Sequence, residues 1–144
     1  MIDLTFNNLT KKKYPKSFFS KTIAAAVELA RLQNRDIGLS INIVGKNKSR
    51  ALNKKYRFQD KPTDVLSFPV NLRQGVVRPR AVNAILELGD IFICPQIAGR
   101  ERIELSRLTV HGFLHLLGYD HKKPLEKKKM QKLENRILSV VSEF

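Results

Sequence analysis

The chain carries three histidines, and His111, His115 and His121 all fall within the stretch VHGFLHLLGYDHKKP at 110–124. On a helix, residues four apart lie one above the other with Cβ atoms about 5–6 Å apart, so His111 and His115 can reach one cation at Zn–N distances of about 2.0–2.1 Å. The third ligand has to come from beyond the helix. Gly118 provides the route: glycine enters the left-handed conformation that ends a helix without steric cost, which lets the chain return His121 to the same side. Three imidazoles leave one tetrahedral position open, the arrangement of a catalytic zinc site and not of a closed structural one. A lone histidine on an apolar helix face is ordinarily a hydrogen-bonded core residue. The i, i+4 pair, the glycine and the third histidine together favour one bound zinc ion, with all three histidines as ligands and as candidate catalytic residues.

The spacing matches the zinc-protease pattern H-E-x-x-H-x-x-G-x-x-H at every position but one. Gly112 stands where the protease needs its glutamate general base, so a zincin-like metal helix is expected without the proton shuttle of peptide cleavage. Glycine there either opens the site to a large phosphodiester or allows close helix packing. Asp120 and Tyr119 are candidates to hydrogen-bond the ligands' N–H groups from behind, or to cap the turn. Asp90, in the "GD" of LGDIFICP, is a candidate to fix the site loop or a bend in its strand. Cys94 reads as a buried strand residue and not as a nucleophile.

The elements that must position these residues follow from hydrophobic period. Ile2, Leu4 and Phe6 alternate as in a half-buried strand, and Phe19, Ile23, Ala26 and Ala30 then fall on one helical face within residues 14–35. IGLSINIV alternates again through Ile37, Leu39, Ile41 and Ile43, and a short helix with Leu52 and Tyr56 follows. DKPTD is a turn; VLSFPV is a strand that Pro69 places at an edge or an end. Residues 71–83, with Gly, Pro and three arginines, read as an exposed loop. AILELGDIFICP is a strand, bent at Gly89. Residues 96–117 are helical with a break near Gly99, and Pro124 opens a last helix with Met130, Leu133, Ile137 and Val140 inward. Without strict βαβ alternation the class is α+β: a single domain over 1–144, with a small mixed sheet of about four strands flanked by helices.

Composition bounds the function classes. No window approaches the length of an apolar membrane span, so no membrane partner is expected. The single cysteine cannot form an internal disulfide, and MIDLTFNNLTKKK lacks the order of a secretory signal; both point to the cytoplasm. Against 13 acidic residues stand 27 Lys and Arg, a net charge of +14. Such a charge repels itself in a small domain and is most readily explained by a polyanionic partner, nucleic acid first, with plain solubility as the alternative.

HGFLHLLGYDH, together with LNKKYRFQDKPTDVLSFPV at 52–70 and LGDIFICPQIA at 88–98, closely resembles the YbeY family, bacterial metal-dependent endoribonucleases of ribosomal RNA maturation. The resemblance implies an α+β fold with zinc on His111, His115 and His121. It implies ribosomal RNA and the pre-ribosomal small subunit, with ribosomal proteins, as partners. The family's arginine in the "YR" of the first motif, associated with RNA processing, falls on Arg57. Its planar fork suits a phosphate bidentately; read alone, it is as readily a surface partner of Asp60 or Asp64. Lys122, Lys123, Arg78 and Arg80 are candidate contacts to backbone phosphates. The segment HKKPLEKKKM is basic where many relatives are acidic. Two rival readings remain: a ribosome-assembly factor with a structural metal, and a metallohydrolase of peptides or small molecules, which Gly112 and the charge disfavour.

Binding to single-stranded RNA is expected to weaken about a thousandfold between roughly 50 and 200 mM salt if about six phosphates are engaged. Fluorescence anisotropy across that range checks it, and a flat response counts against a polyanionic partner.

Overall fold

The computed structural model describes residues 1–70, 85–99, 101–119 and 122–142. In chain order the elements are β1 (Ile2–Asn8), α1 (Lys16–Leu29), β2 (Ile37–Ile43), α2 (Lys46–Arg57), β3 (Val65–Pro69), β4 (Leu86–Ile93), α3 (Pro95–Ala98), α4 (Arg102–Leu116) and α5 (Pro124–Val141). Among the described residues the sheet has four strands in the order β1-β2-β4-β3. The first three are parallel neighbours and β3 runs antiparallel to β4, so the sheet is mixed as expected. β2 has a parallel neighbour on each side and is buried along nearly its whole length, which its Ile- and Leu-rich sequence suits. Pro69, which has no N–H for a ladder, is the last residue of the edge strand β3. Residues 71–84, which include the expected arginine-rich loop, lie outside the described residues.

The bend at Gly89 is a β-bulge. Gly38 pairs with Glu87 and Leu39 with Gly89, so Leu88 is the extra residue. Leu86 precedes the bulge, Leu88 forms it and Ile91 and Ile93 follow it, and all four are buried. Gly89 has φ of +129°, and a Cβ there would lie 2.1 Å from the Phe68 carbonyl oxygen, so no other residue fits.

One face of the sheet is covered by α4, on β3 and β4, and by α1, with α5 packed on both helices. Phe19, Ile23 and Ala26 of α1 are fully buried, as their spacing predicts. Helix α4 buries Leu105, Leu108, Val110, Phe113, Leu114 and Leu116, and so lies inside the core with the sheet on one side and α1 and α5 on the others. Helix α5 turns Met130, Ile137 and Val141 inward; the expected Val140 is partly exposed because the last turn keeps a four-residue step from Ile137. The expected break near Gly99 separates α3 from α4, with Gly99 at φ +94°.

The opposite face is open over β1, β2 and part of β4, where Asp3, Thr5, Asn7, Ser40, Asn42 and Asp90 line a shallow cleft of about 470 Å³. Helix α2 adjoins β3 on this side. Tyr56 meets the Phe68 ring at 5.0 Å, and Phe68 meets Phe92 at 5.6 Å. The turn DKPTD is tied to α2 by side chains: Ser49 Oγ donates to the Thr63 carbonyl at 2.7 Å and accepts from its N–H at 2.9 Å, and Asn53 Nδ2 donates to the Lys61 carbonyl at 2.8 Å. The helix ends at Phe58, which has left-handed φ 59° and ψ 30°. For a side chain with a Cβ that conformation costs roughly 1–2 kcal/mol.

Gly112 explains how α4 approaches the sheet. A Cβ at that position would stand 2.9 Å from Ile91 Cγ2 and 3.1 Å from Ser67 Oγ, and Ser67 Oγ donates to the Gly112 carbonyl at 3.2 Å. The glycine is therefore a packing residue, and of the two readings open from sequence the structure realises close packing. Gly112→Ala is expected to destabilise the fold by about 1–3 kcal/mol through overpacking. Urea denaturation of the variant beside wild type measures it; an unchanged midpoint would show that the sheet yields freely.

Candidate metal centre

His111 and His115 stand on the last two turns of α4, half-buried, with their Nε2 atoms 3.0 Å apart. The rings are nearly perpendicular, 79° between planes and 4.5 Å between centroids. Both side chains are oriented through their other nitrogen. The end of α4 follows the Schellman pattern: the Gly118 N–H bonds to the His115 carbonyl at 3.0 Å, and the Tyr119 N–H bonds to the Leu114 carbonyl at 3.1 Å. Gly118 supplies the left-handed residue, φ +99°. This turn delivers the Tyr119 carbonyl to His115 Nδ1 at 3.0 Å. A carbonyl can only accept, so His115 Nδ1 carries a proton.

His111 is held from a different element. Its Nδ1 lies 3.3 Å from Glu134 Oε1 on α5, and the Glu134 side chain is only 15% exposed. A carboxylate in that position accepts, which places the His111 proton on Nδ1 as well. In the neutral rings both Nε2 atoms then offer lone pairs to one another at 3.0 Å. Nitrogen ligands of a tetrahedral zinc at about 2.0–2.1 Å stand about 3.3–3.4 Å apart, so the observed pair fits such an ion with a small adjustment. A ligating histidine whose second nitrogen donates to a carboxylate or carbonyl is the usual outer arrangement of such sites. Among the described residues no cluster of three His, Cys, Asp or Glu gathers about one point. His121 and Asp120 lie outside the described residues, as do Arg78 and Arg80.

The remaining candidates are dispersed. Arg57 closes α2 with its side chain exposed, and of its two alternative surface partners, Asp60 and Asp64, the first is taken by another arginine. Asp60 accepts a two-point contact from Arg50, Nε at 2.7 Å and Nη2 at 3.2 Å. That bond holds the Asp60 carboxyl below its ordinary range. Lys122 and Lys123 are exposed immediately ahead of α5. Asp90 directly follows the bulge at Gly89. It accepts a short hydrogen bond from Ser40 Oγ in the cleft on the open face, whereas its neighbour Ile91 faces Gly112 of α4. The place behind the His111 ring belongs to Glu134. Cys94 is buried at the end of β4, as expected.

Glu134 is the residue that sequence reading missed. Its signal was a carboxylate inside an apolar stripe: it is four residues after Met130 and three before Ile137, both buried. Arg107, one turn ahead of His111, lines with it a groove of about 340 Å³ between α4 and α5. The Arg107 guanidinium donates to Glu104 at 2.9 Å, and that bond together with the nearby carboxylates of Asp64 and Glu134 raises its pKa.

With this geometry in hand, likeness to known proteins is informative. The family model described as Endoribonuclease YbeY matches residues 5–142. A protein named Endoribonuclease YbeY from Aquifex aeolicus is 41% identical over 93% of this chain and 89% of its own length. Proteins of the same name from Halorhodospira halophila and Stenotrophomonas maltophilia are 41% and 40% identical, over 72% and 84% of this chain and 70% and 76% of theirs. The solution structure of TM1509 from Thermotoga maritima superposes with a TM-score of 0.60 at 24% identity, over 96% of this chain and 88% of that one, and so shares the fold. Matched along nearly its whole length by that family model, the chain belongs to the YbeY family.

Proposed function

We propose that the chain is a cytoplasmic, metal-dependent endoribonuclease acting on ribosomal RNA of the pre-ribosomal small subunit, with one zinc ion on His111, His115 and His121. The observation that carries this reading is the pair of Nε2 atoms facing each other at 3.0 Å while Glu134 and the Tyr119 carbonyl hold both Nδ1 protons. Family membership supplies the reaction class. A zinc ion bound there contributes Lewis acidity toward a phosphoryl oxygen.

The chain's own residues do the rest. Glu134 and the helix-ending turn keep the rings in the tautomer that presents Nε2, so no reorientation is needed when the site fills. Arg57 stays charged at every physiological pH, and its fork binds two oxygens of a phosphate or of the charge that develops on it. Lys122, Lys123, Arg78 and Arg80 hold flanking phosphates without reading base identity. Gly112 offers no carboxylate, and a Cβ there would press on Ile91 and Ser67, which sets the reaction apart from peptide hydrolysis. Ribosomal proteins of the small subunit are its neighbours during cleavage.

Metal content of the purified protein, followed by cleavage of a precursor ribosomal RNA, tests the proposal. Wild type is expected to hold about one zinc per chain, and His111→Ala to lose both zinc and cleavage while keeping its circular dichroism. Collapse of the fold in that variant would support a structural metal in an assembly factor. Glu134→Gln is expected to weaken zinc affinity by about 10–100-fold in a chelator competition. Unchanged affinity would show that the carboxylate contributes nothing to the site. A 2′,3′-cyclic phosphate on the product would assign the attacking group to the RNA 2′-hydroxyl, and a simple phosphate to water.

A further inference from the structure

Phe58 is placed against two ordinary rules at once. It is the most exposed large apolar side chain among the described residues, at 90%, and it sits in a left-handed backbone conformation that favours glycine. The conformation itself has a local reason, since it ends α2 with the Phe58 and Gln59 N–H groups turned onto the Asn53 carbonyl. The choice of phenylalanine does not. A glycine would end the helix with less strain, and a ring so exposed gains little from packing on its own chain.

What surrounds Phe58 gives the ring a use. Lys54, Lys55 and Arg57 occupy the last turn of α2, Lys61 follows in the turn, and all of them are exposed. Tyr56 is 52% exposed, with the Lys55 ammonium 5.1 Å from its ring centre. An aromatic face standing clear of the surface among cations is the arrangement that binds single-stranded nucleic acid: the cations hold the backbone and the ring stacks a base. A membrane surface fits less well, because an interfacial anchor needs an apolar helix face, and α2 has only Ser49 and Asn53 buried among mostly charged residues.

We infer that Phe58 is a stacking platform for an unpaired base of the RNA substrate, next to the phosphate held by Arg57. The inference rests on the endoribonuclease reading and adds to it the demand that the RNA be single-stranded where it crosses the end of α2. Stacking tolerates any base, so Phe58 contributes affinity and register and does not select sequence.

The probe is a 2′-O-methyl oligoadenylate of about 12 nucleotides, which resists cleavage and matches the site sizes of single-strand binders. Phe58→Leu keeps an apolar side chain without a π-face and is expected to weaken binding about 5–100-fold. Its salt slope should stay that of wild type, whereas Lys54→Gln should lower the slope by about one. Phe58→Tyr should bind like wild type. Phe58→Trp adds an indole to a chain that has none, and its fluorescence should be quenched on binding. Phe58→Gly should lose affinity while gaining roughly 2–5 °C in Tm through relief of the backbone, opposite signs that a purely structural role cannot produce. Wild-type affinity in Phe58→Leu, or an unquenched indole in a variant that binds, overturns the platform and leaves the endoribonuclease reading standing. Failure of the wild type to bind or cut any RNA overturns both.

Discussion

A neutral imidazole whose Nδ1 proton is already donated has one thing left to offer, the lone pair on Nε2. In this fold that condition is imposed twice, on rings one helical turn apart, and from two independent parts of the chain. Tyr119 reaches His115 through its backbone, which only the left-handed Gly118 permits; Glu134 reaches His111 from α5. Neither contact is strong alone, since a hydrogen bond to a half-buried ring adds about 1 kcal/mol net. Their effect is on direction. The two Nε2 atoms stand 3.0 Å apart, close to the spacing of two nitrogens on one zinc ion.

For the rings to hold that distance, α4 itself has to be immobile. Leu105, Leu108, Phe113, Leu114 and Leu116 are each at most 4% exposed, and Gly112 lets the helix settle onto Ile91 and Ser67. The sheet beneath is set by β2, buried along its length between two parallel neighbours. The long-range order therefore runs from an apolar central strand, through a glycine contact, to two polar side chains at the helix end. Glu134 depends on the same packing from the other side, because Met130 and Ile137 fix the inward face of α5 on which it stands.

Much of this was legible in the sequence, and the failures have identifiable causes. The histidine spacing, the helix-ending glycine, the break at Gly99 and the edge role of Pro69 all depend on local geometry, which residue type and spacing record directly. Glu134 was not legible because its meaning lies in a partner 23 positions away, His111, on another helix. In LELGDIFI the extra residue at Leu88 breaks the alternation, after which Ile91 takes the inner face and Asp90 the outer. A bulge is a tertiary accommodation, here between β4 and β2, and hydrophobic period alone does not announce it.

The departure from the zinc-protease pattern also has a physical content beyond one missing base. The position after the first histidine is about 100° around the helix from it, and a chain has to commit that direction either to the substrate side or to the core. Here Gly112 commits it to the core, with Ile91 and Ser67 where a carboxylate stem would begin. A glutamate introduced at 112 would press its Cβ on Ile91 and Ser67, so the way α4 is docked disfavours the proton shuttle of peptide cleavage. Any proton transfer at this site has to be served from another element or by the substrate. An RNA strand brings its own 2′-hydroxyl beside each phosphate, and so needs less from the helix than a peptide would.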